Sequence, residues 1–426
     1  MDEVTHGNRA AKATAGLRGA SWNVERVPAG TRVSVHTLPT ADGAQITGFL
    51  YARGGERTVV SIMHPRELVV THYLVPDVLQ AGCACWVQGS RTVGNDLRLE
   101  HELAVIDVAA GQEFLRKQGF VTSVLLGNSG GAALFALYIQ QSSRDPARRI
   151  ELTPAGRPAG LAKAALPGIE GLILVSPHLG PGKLLQACID PAVMTEDDPL
   201  ASDDSLFLFN EANGYRTAPE ESHFTPEFLA HYRQAQHARV ARIDARAREL
   251  VAERQRARQR AKAGGALDDR IRGAFSSIFQ VWRTDADPRC SDLTLDPSDR
   301  KRGSLWGADP LVSNFGSVGF ARVCTPESWL SSWSGLSSNA SFEACGGSIQ
   351  VPTLMVEYTG DSAVFPADAD FIFASLGTSK KARYRVRGNH HGQPLAPGET
   401  SGQLLAGEII QRWLKESTLA REGAHG

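Results

Sequence analysis

The pentapeptide Gly127-Asn128-Ser129-Gly130-Gly131 is the part of the sequence that points most directly to chemistry. It fits the pattern G-x-S-x-G, follows the β-rich apolar run 121–126 (VTSVLL) and precedes a segment of helical composition. On such a turn a serine is exposed at the edge of a sheet, and flanking glycines keep side chains out of the crowded junction. We therefore predict that Ser129 is a nucleophile. The N–H of Gly130 and the positive helix N-terminus would then face a developing oxyanion.

A serine nucleophile needs a general base, and the base needs an acid that orients it. Asp361 follows the apolar strand candidate 351–358 and is the predicted acid. Asp368 and Asp370 are poorer candidates because they are expected to begin the next helix. Two adjacent histidines follow the last strand candidate, and only one of them can be the base. The arrangement G-x-x-H-G favours His391, with His390 as the alternative.

The second oxyanion donor is expected in the loop after the strand candidate 58–63, where the sequence reads His64-Pro65-Arg66. Proline has no N–H, so the backbone N–H of Arg66 is the predicted donor. The Arg66 side chain could instead contact an anionic substrate. No metal site or cofactor is predicted, because the adjacent histidines diverge and no third ligand is apparent.

These residues must be positioned by a framework of alternating strands and helices. A hairpin is predicted over 32–52, and strands alternate with helices up to residue 180 and again from 351 onwards. This alternation is typical of an α/β fold with a mostly parallel central sheet flanked by helices. Residues 1–28 are interpreted as an N-terminal lead-in.

Four segments resemble the α/β-hydrolase superfamily: VTSVLLGNSGG its nucleophile elbow, MHPRE its oxyanion loop, VEYTGDSAVFP its acid loop and RGNHHG its histidine loop. Pro65 stands where many members have glycine. The resemblance implies catalytic roles for Ser129, Asp361 and His391 and oxyanion roles for Gly130 and Arg66. It also implies a core of residues 29–180 and 350–426, with residues 181–349 inserted where many members carry a cap.

The inserted stretch is predicted to be mainly helical. A long helix should run from Thr225-Pro226 to about Lys262, with the stripe Val240, Ile243, Ala247 and Leu250. A second helix, 268–282, should bury Ile271, Phe275, Ile278 and Phe279 against it. Aromatic residues could line a substrate pocket beside His64, or could simply pack the cap's own core; they are Trp282, Trp306, Trp329, Trp333, Phe275 and Phe279.

Composition limits the classes of partner. Of the 426 residues 42% are hydrophobic and 21% charged, with a net charge of −1, so no global field favours nucleic acid or membrane. The Arg-rich stretch 239–262 is interpreted as a solvated helix face, although it could contact a second subunit in a homodimer. Six scattered cysteines and the absence of an apolar leader or span indicate a reduced, cytoplasmic protein.

The function that these residues and the resemblance imply is hydrolysis of a carboxylic ester through an acyl-enzyme, with a small or medium-sized organic substrate, aromatic ones included. The same triad could act on a thioester, a lactone or a C–C bond of a β-dicarbonyl compound. A non-catalytic binding protein on the same fold is the remaining alternative. The predicted partner is a small-molecule ester, with no nucleic acid and no membrane.

Overall fold

The computed structural model describes residues 22–422. Twelve strands occur in this part of the chain: β1 Arg32–Pro39, β2 Gln45–Ala52, β3 Thr58–Met63, β4 Ala84–Gln88, β5 Thr122–Asn128, β6 Gly171–Val175, β7 Val193–Thr195, β8 Asp198–Ser202, β9 Phe279–Gln280, β10 Val323–Cys324, β11 Thr353–Tyr358 and β12 Lys381–Val386. Its α-helices are α1 Val75–Gln80, α2 His101–Lys117, α3 Gly130–Ser142, α4 Pro181–Cys188, α5 Pro226–Lys262, α6 Leu267–Ala274, α7 Pro310–Phe315, α8 Pro326–Ser328, α9 Phe342–Cys345, α10 Pro366–Ser375 and α11 Gly402–Glu422.

Eight of the strands form one sheet in the order β1-β2-β4-β3-β5-β6-β11-β12. The hairpin β1–β2 and the pair β2–β4 are antiparallel, and the remaining neighbours are parallel. Strands β3, β4, β6 and β11 are buried along their whole length, as expected of parallel strands that helices cover on both faces. The predicted α/β class with a mostly parallel central sheet is confirmed.

Helices cover the two faces of the sheet with separate apolar layers. Helices α2 and α3 belong to one buried cluster, and α1 and α11 belong to another. Because β3, β5, β6, β11 and β12 run parallel, their carboxyl ends meet at one edge of the sheet. The loops that carry the predicted chemistry begin at this edge.

The predicted lead-in lies mostly outside the described residues. Its last part is ordered against the sheet: the Trp22 N–H donates to the Thr71 carbonyl at 2.8 Å, and the Trp22 ring meets Tyr51 edge-on. Residues 24–26 form a short 3-10 turn.

Helix α5 dominates the stretch between β6 and β11 and is 37 residues long. It begins as predicted, with Thr225 Oγ1 accepting the N–H of Phe228 and proline in the first turn. Its buried stripe contains Val240, Ile243 and Ala247 and continues through Val251 rather than Leu250. No helix between residues 22 and 422 is both long and apolar enough to cross a membrane.

The second predicted helix is shorter than expected, and only Phe279 of its four-residue apolar stripe is partly buried. Helix α6 ends at Ala274, and Ile271, Phe275 and Ile278 are each more than half exposed. The two helices approach through Gly273 instead, where a Cβ would lie 3.0 Å from Arg258 Cγ. The two serines after Phe275 favour a loop over a further turn of helix.

Candidate active site

Ser129 lies on the turn between β5 and α3, in a backbone conformation that side chains rarely adopt. Its φ is +51° and its ψ is −118°. The turn is held by the Ser129 N–H, which donates to the Val175 carbonyl at 2.9 Å, and by the Asn128 amide, which donates to the same carbonyl at 3.0 Å. This strain exposes the hydroxyl at the sheet edge, where the sequence predicted it.

The glycines around Ser129 are required by close approach. A Cβ on Gly127 would lie 2.6 Å from Ala132 Cα, and a Cβ on Gly131 would lie 2.3 Å from the Met63 carbonyl oxygen. Both distances are too short for any side chain. The two glycines of the G-x-S-x-G pattern are therefore required by the close packing of β5, α3 and the end of β3.

A chain of hydrogen bonds connects Ser129 to Asp361 through His390. His390 Nε2 lies 3.0 Å from Ser129 Oγ, and His390 Nδ1 lies 2.7 Å from Asp361 Oδ2. The other oxygen of Asp361 accepts the N–H groups of Ala363 and Val364 at 2.7 and 3.0 Å. The loop after β11 thus fixes the carboxylate and leaves Oδ2 facing the ring.

The preference for His391 as the base is not supported by this geometry. The turn after β12 is closed by Asn389, whose side-chain oxygen accepts the N–H groups of His391 and Gln393 at 3.0 Å each. Adjacent side chains diverge, so only one of the two rings can face Ser129. In this turn that ring is His390. Burial lowers the pKa of His391 to about 2, and its Nδ1 is buried without a partner. The G-x-x-H-G spacing could not distinguish the two rings.

The predicted second oxyanion donor is already engaged. The Arg66 N–H donates to the ring Nδ1 of His64 at 3.2 Å. The Arg66 guanidinium forms two hydrogen bonds to the Asp96 carboxylate, at 2.7 and 2.6 Å, and lies over the Trp333 ring. Neither the backbone nor the charge of Arg66 is therefore available in the way the sequence suggested. Gly130, the other predicted donor, directly follows the serine at the start of α3.

These arrangements identify the architecture. A serine on a strained strand-to-helix turn is followed in the chain by an acid and a histidine at the ends of later strands of the same mostly parallel sheet. The chain has the α/β-hydrolase fold. The predicted resemblance is confirmed at this level.

Comparison with known proteins gives distant structural similarities. No family model and no curated protein matches the sequence. Among solved structures the chain is similar to DcsB in complex with its substrate analogue. The TM-score is 0.48 and the identity 13%, and the match covers 91% of this chain and 99% of that one. It is also similar to carboxyl esterase 2 of Tuber melanosporum (TM-score 0.42, 14% identity, 92% and 87% covered) and to the α/β hydrolase GrgF of Penicillium sp. sh18 (0.44, 12%, 91% and 99%). At this distance the likeness extends to no particular residue or activity.

A cavity of about 320 Å³ opens directly onto Ser129. The core contributes Gly130, His390 and residues from the loops after β3 and β6. The stretch between β6 and β11 contributes an apolar wall that contains Leu184, Trp306, Phe320 and Trp333. The volume is at the lower end of the range usual for small-molecule sites.

Only some of the residues predicted for the substrate pocket line the cavity. His64, Trp306 and Trp333 line the cavity. Trp329 does not: it is fully buried, and its indole N–H donates to Asp244 at 2.7 Å. The prediction that Trp329 lines the substrate pocket is therefore wrong, because this ring packs the interior of the inserted stretch against α5. Phe275 is exposed and also lies outside the cavity wall.

Two buried histidines of the cavity wall were missed by the sequence reasoning. His178 follows β6, and burial lowers its pKa to about 3. His101 begins α2, burial lowers its pKa to about 4, and its Nδ1 lies 2.8 Å from Ser332 Oγ. The signal for His178 was present, since it follows a core strand at the same edge as Ser129. His101 carried no such signal.

Two further observations concern alternative chemistry. Within residues 22–422 no group of three or more His, Cys, Asp or Glu residues is arranged to hold a metal ion. All six cysteines are buried and unpaired, and burial raises the pKa of the Cys345 thiol to about 12.

Proposed function

We propose that this protein is a serine hydrolase that cleaves a carboxylic ester of a small or medium-sized, uncharged substrate through an acyl-enzyme. The observation that carries this proposal is the hydrogen-bonded series Ser129–His390–Asp361, of which Ser129 and His390 line the cavity. The three side chains come from three separate strand ends, and each has its own structural support. Such an arrangement is the one that activates a serine hydroxyl.

In the proposed reaction Ser129 Oγ adds to the ester carbonyl carbon while its proton moves to His390 Nε2. Asp361 accepts the Nδ1–H of the same ring and stabilises the imidazolium that forms. The proton on Nε2 then passes to the leaving alcohol, and the acyl group remains on Ser129. Water, deprotonated by His390, repeats the addition and releases the acid.

The substrate preference follows from the character of the wall. Burial holds the pKa of His64, His101, His178 and His391 below the usual range, so these rings are neutral at pH 7. The cation of Arg66 is paired with Asp96. The rest of the wall is mainly aromatic and aliphatic, with neutral polar side chains and one carboxylate, that of Glu67. An uncharged ester with an apolar acyl or alkoxy group, including an aromatic one, suits such a wall.

We also propose that residues 181–349 act as a cap over this site, with 29–180 and 350–426 as the hydrolase core. Support comes from the cavity, whose far wall is built from Leu184, Trp306, Phe320 and Trp333. The cap excludes water from the acyl group and limits its length.

A fluorophosphonate probe and a series of p-nitrophenyl esters test the proposal. We expect stoichiometric labelling at Ser129, detected by peptide mass spectrometry, and turnover that is highest for short and medium acyl chains. Ser129→Ala is the control and should lose both. Full turnover by Ser129→Ala would show that the assignment of the nucleophile is wrong. A native protein that is neither labelled nor active would favour a binding role for the fold.

A further inference from the structure

Two histidines of the cavity wall approach the residue that follows the nucleophile. The Nε2 atoms of His64 and His178 lie 2.8 and 3.5 Å from the position that a Cβ would take on Gly130. Both residues line the same cavity as Ser129. When Ser129 adds to a carbonyl, the oxygen becomes negative beside the N–H of Gly130. The two rings therefore border the space in which that charge develops.

The hydrogen bonds of the two rings determine which nitrogen carries the proton. His64 Nδ1 accepts the Arg66 N–H and His178 Nδ1 accepts the Gly180 N–H, each at 3.2 Å. Burial lowers the pKa of both residues, so the rings are neutral. A neutral ring that accepts at Nδ1 must carry its single proton on Nε2. Both rings thus present an N–H donor, and neither Nε2 has a hydrogen-bond acceptor in the described part of the chain.

The site lacks one of the two backbone donors that an oxyanion hole usually has. The expected backbone donor of the loop after β3 is absent, because Pro65 has no N–H and the Arg66 N–H is directed at His64. We propose that His64 and His178 donate their Nε2–H groups to the substrate's carbonyl oxygen, as side-chain members of an oxyanion hole with the Gly130 N–H. This inference rests on the proposed function. No proton is transferred from either ring, since the Ser129 proton goes to His390.

The test compares an ester with the thionoester of the same acid and alcohol, because a thiocarbonyl sulfur is a poor hydrogen-bond acceptor. For His64→Leu and His178→Leu we expect kcat on the ester to fall about 10–1,000-fold with KM little changed. The rate on the thionoester should change far less, so the ester-to-thionoester ratio should fall. His64→Gln and His178→Gln retain an N–H donor and should recover part of the ratio.

His72→Leu is the matched control. His72 Nδ1 accepts the Leu74 N–H at 3.2 Å in the same way, but its Nε2 faces Asn128 Oδ1, and it does not line the cavity. Any effect of this variant should be equal on both substrates. If one leucine variant fails to fold, the other position and its glutamine variant give the same readout.

The possible outcomes distinguish the donor role of the two histidines from the proposed function. A native enzyme that hydrolyses the ester while every histidine variant keeps its ester-to-thionoester ratio overturns the donor role alone. A native protein that turns over neither compound and is not labelled at Ser129 overturns the proposed function as well. A ratio that falls in the leucine variants and recovers with glutamine supports the donor role.

Discussion

His390 Nε2 lies 3.0 Å from Ser129 Oγ, although 261 residues separate the two in the sequence. The contact requires both strand ends to meet at one edge of the sheet and the Asn389 turn to direct one of two adjacent rings inward. The centroid of the neighbouring His391 ring lies 4.7 Å from that of His390, and the two ring planes are inclined at 64°. The two histidines therefore have different environments, and the proposed function makes different demands on them.

His390→Ala and His391→Ala should differ greatly in their effect on catalysis. We expect His390→Ala to lower kcat on a p-nitrophenyl ester by about 10⁴-fold or more, because His390 is the hydrogen-bond partner of Ser129 Oγ among residues 22–422. His391→Ala should retain activity within about tenfold of the native enzyme, because its ring is not hydrogen-bonded to Ser129 or Asp361. Steady-state kinetics on matched preparations measure this difference. The reverse order of effects would restore the preference that the sequence suggested.

Asp361→Asn should abolish most activity while leaving the loop intact. An asparagine oxygen can still accept the N–H groups of Ala363 and Val364, but its NH₂ would then face His390 Nδ1. The ring would have to accept there and carry its proton on Nε2, where it could not take the proton of Ser129. We expect kcat to fall about 10⁴-fold with an unchanged unfolding midpoint.

Asp370→Asn serves as the control for this variant. Asp370 was a weaker candidate for the acid, and its exposed carboxylate forms an ion pair with Arg383 at 2.5 Å. Its replacement should leave kcat within about twofold, since an exposed ion pair contributes little even to stability. A large loss of activity in Asp370→Asn would contradict the assignment of Asp361.

The sequence predicted those features that depend on a local pattern of residue types. The turn at Ser129, the position of Asp361 at a strand end and the class of the sheet could be predicted, because strained turns, strand ends and apolar runs leave local patterns. The choice between His390 and His391 depended on the Asn389 turn. Trp329 and α6 were misjudged because a hydrophobic stripe does not specify which neighbour covers it. The engagement of the Arg66 N–H by His64 is a tertiary contact with no local signature.

Gly131→Ala should destabilise the fold as well as the site. The new methyl group would lie 2.3 Å from the Met63 carbonyl oxygen, so α3 and the end of β3 must separate. We expect a loss of about 2–4 kcal/mol in the free energy of unfolding. Chemical denaturation of the purified variant measures it. Gly168→Ala is the matched control, since a Cβ at that position meets no atom within 4 Å and should cost less than about 0.5 kcal/mol.

Glu100→Gln should stabilise the protein at neutral and alkaline pH but not at pH 4. Burial raises the pKa of Glu100 to about 7, against the attraction of Arg157 and with the help of Glu102. The folded state therefore binds the proton more tightly than the unfolded state, whose pKa lies near 4.5. The native protein loses stability as the pH rises from about 4.5 through 7. Glutamine mimics the protonated acid and avoids that loss, which we expect to be about 1–3 kcal/mol.

The measurement is the difference in unfolding free energy between Glu100→Gln and the native protein at pH 4, 6 and 8. It should increase with pH and level off above about 7, where the folded carboxyl has ionised. Glu56→Gln provides a control of opposite sign. Despite partial burial, the N–H groups of Arg53 and Gly54 donate to Glu56 and hold its pKa below 4.5. This variant should therefore lose stability relative to the native protein as the pH rises to about 4.5, and the difference should stay level above about pH 6. Parallel pH curves for the two variants would contradict the proposed origin of the effect, because a change in overall charge would act on both alike.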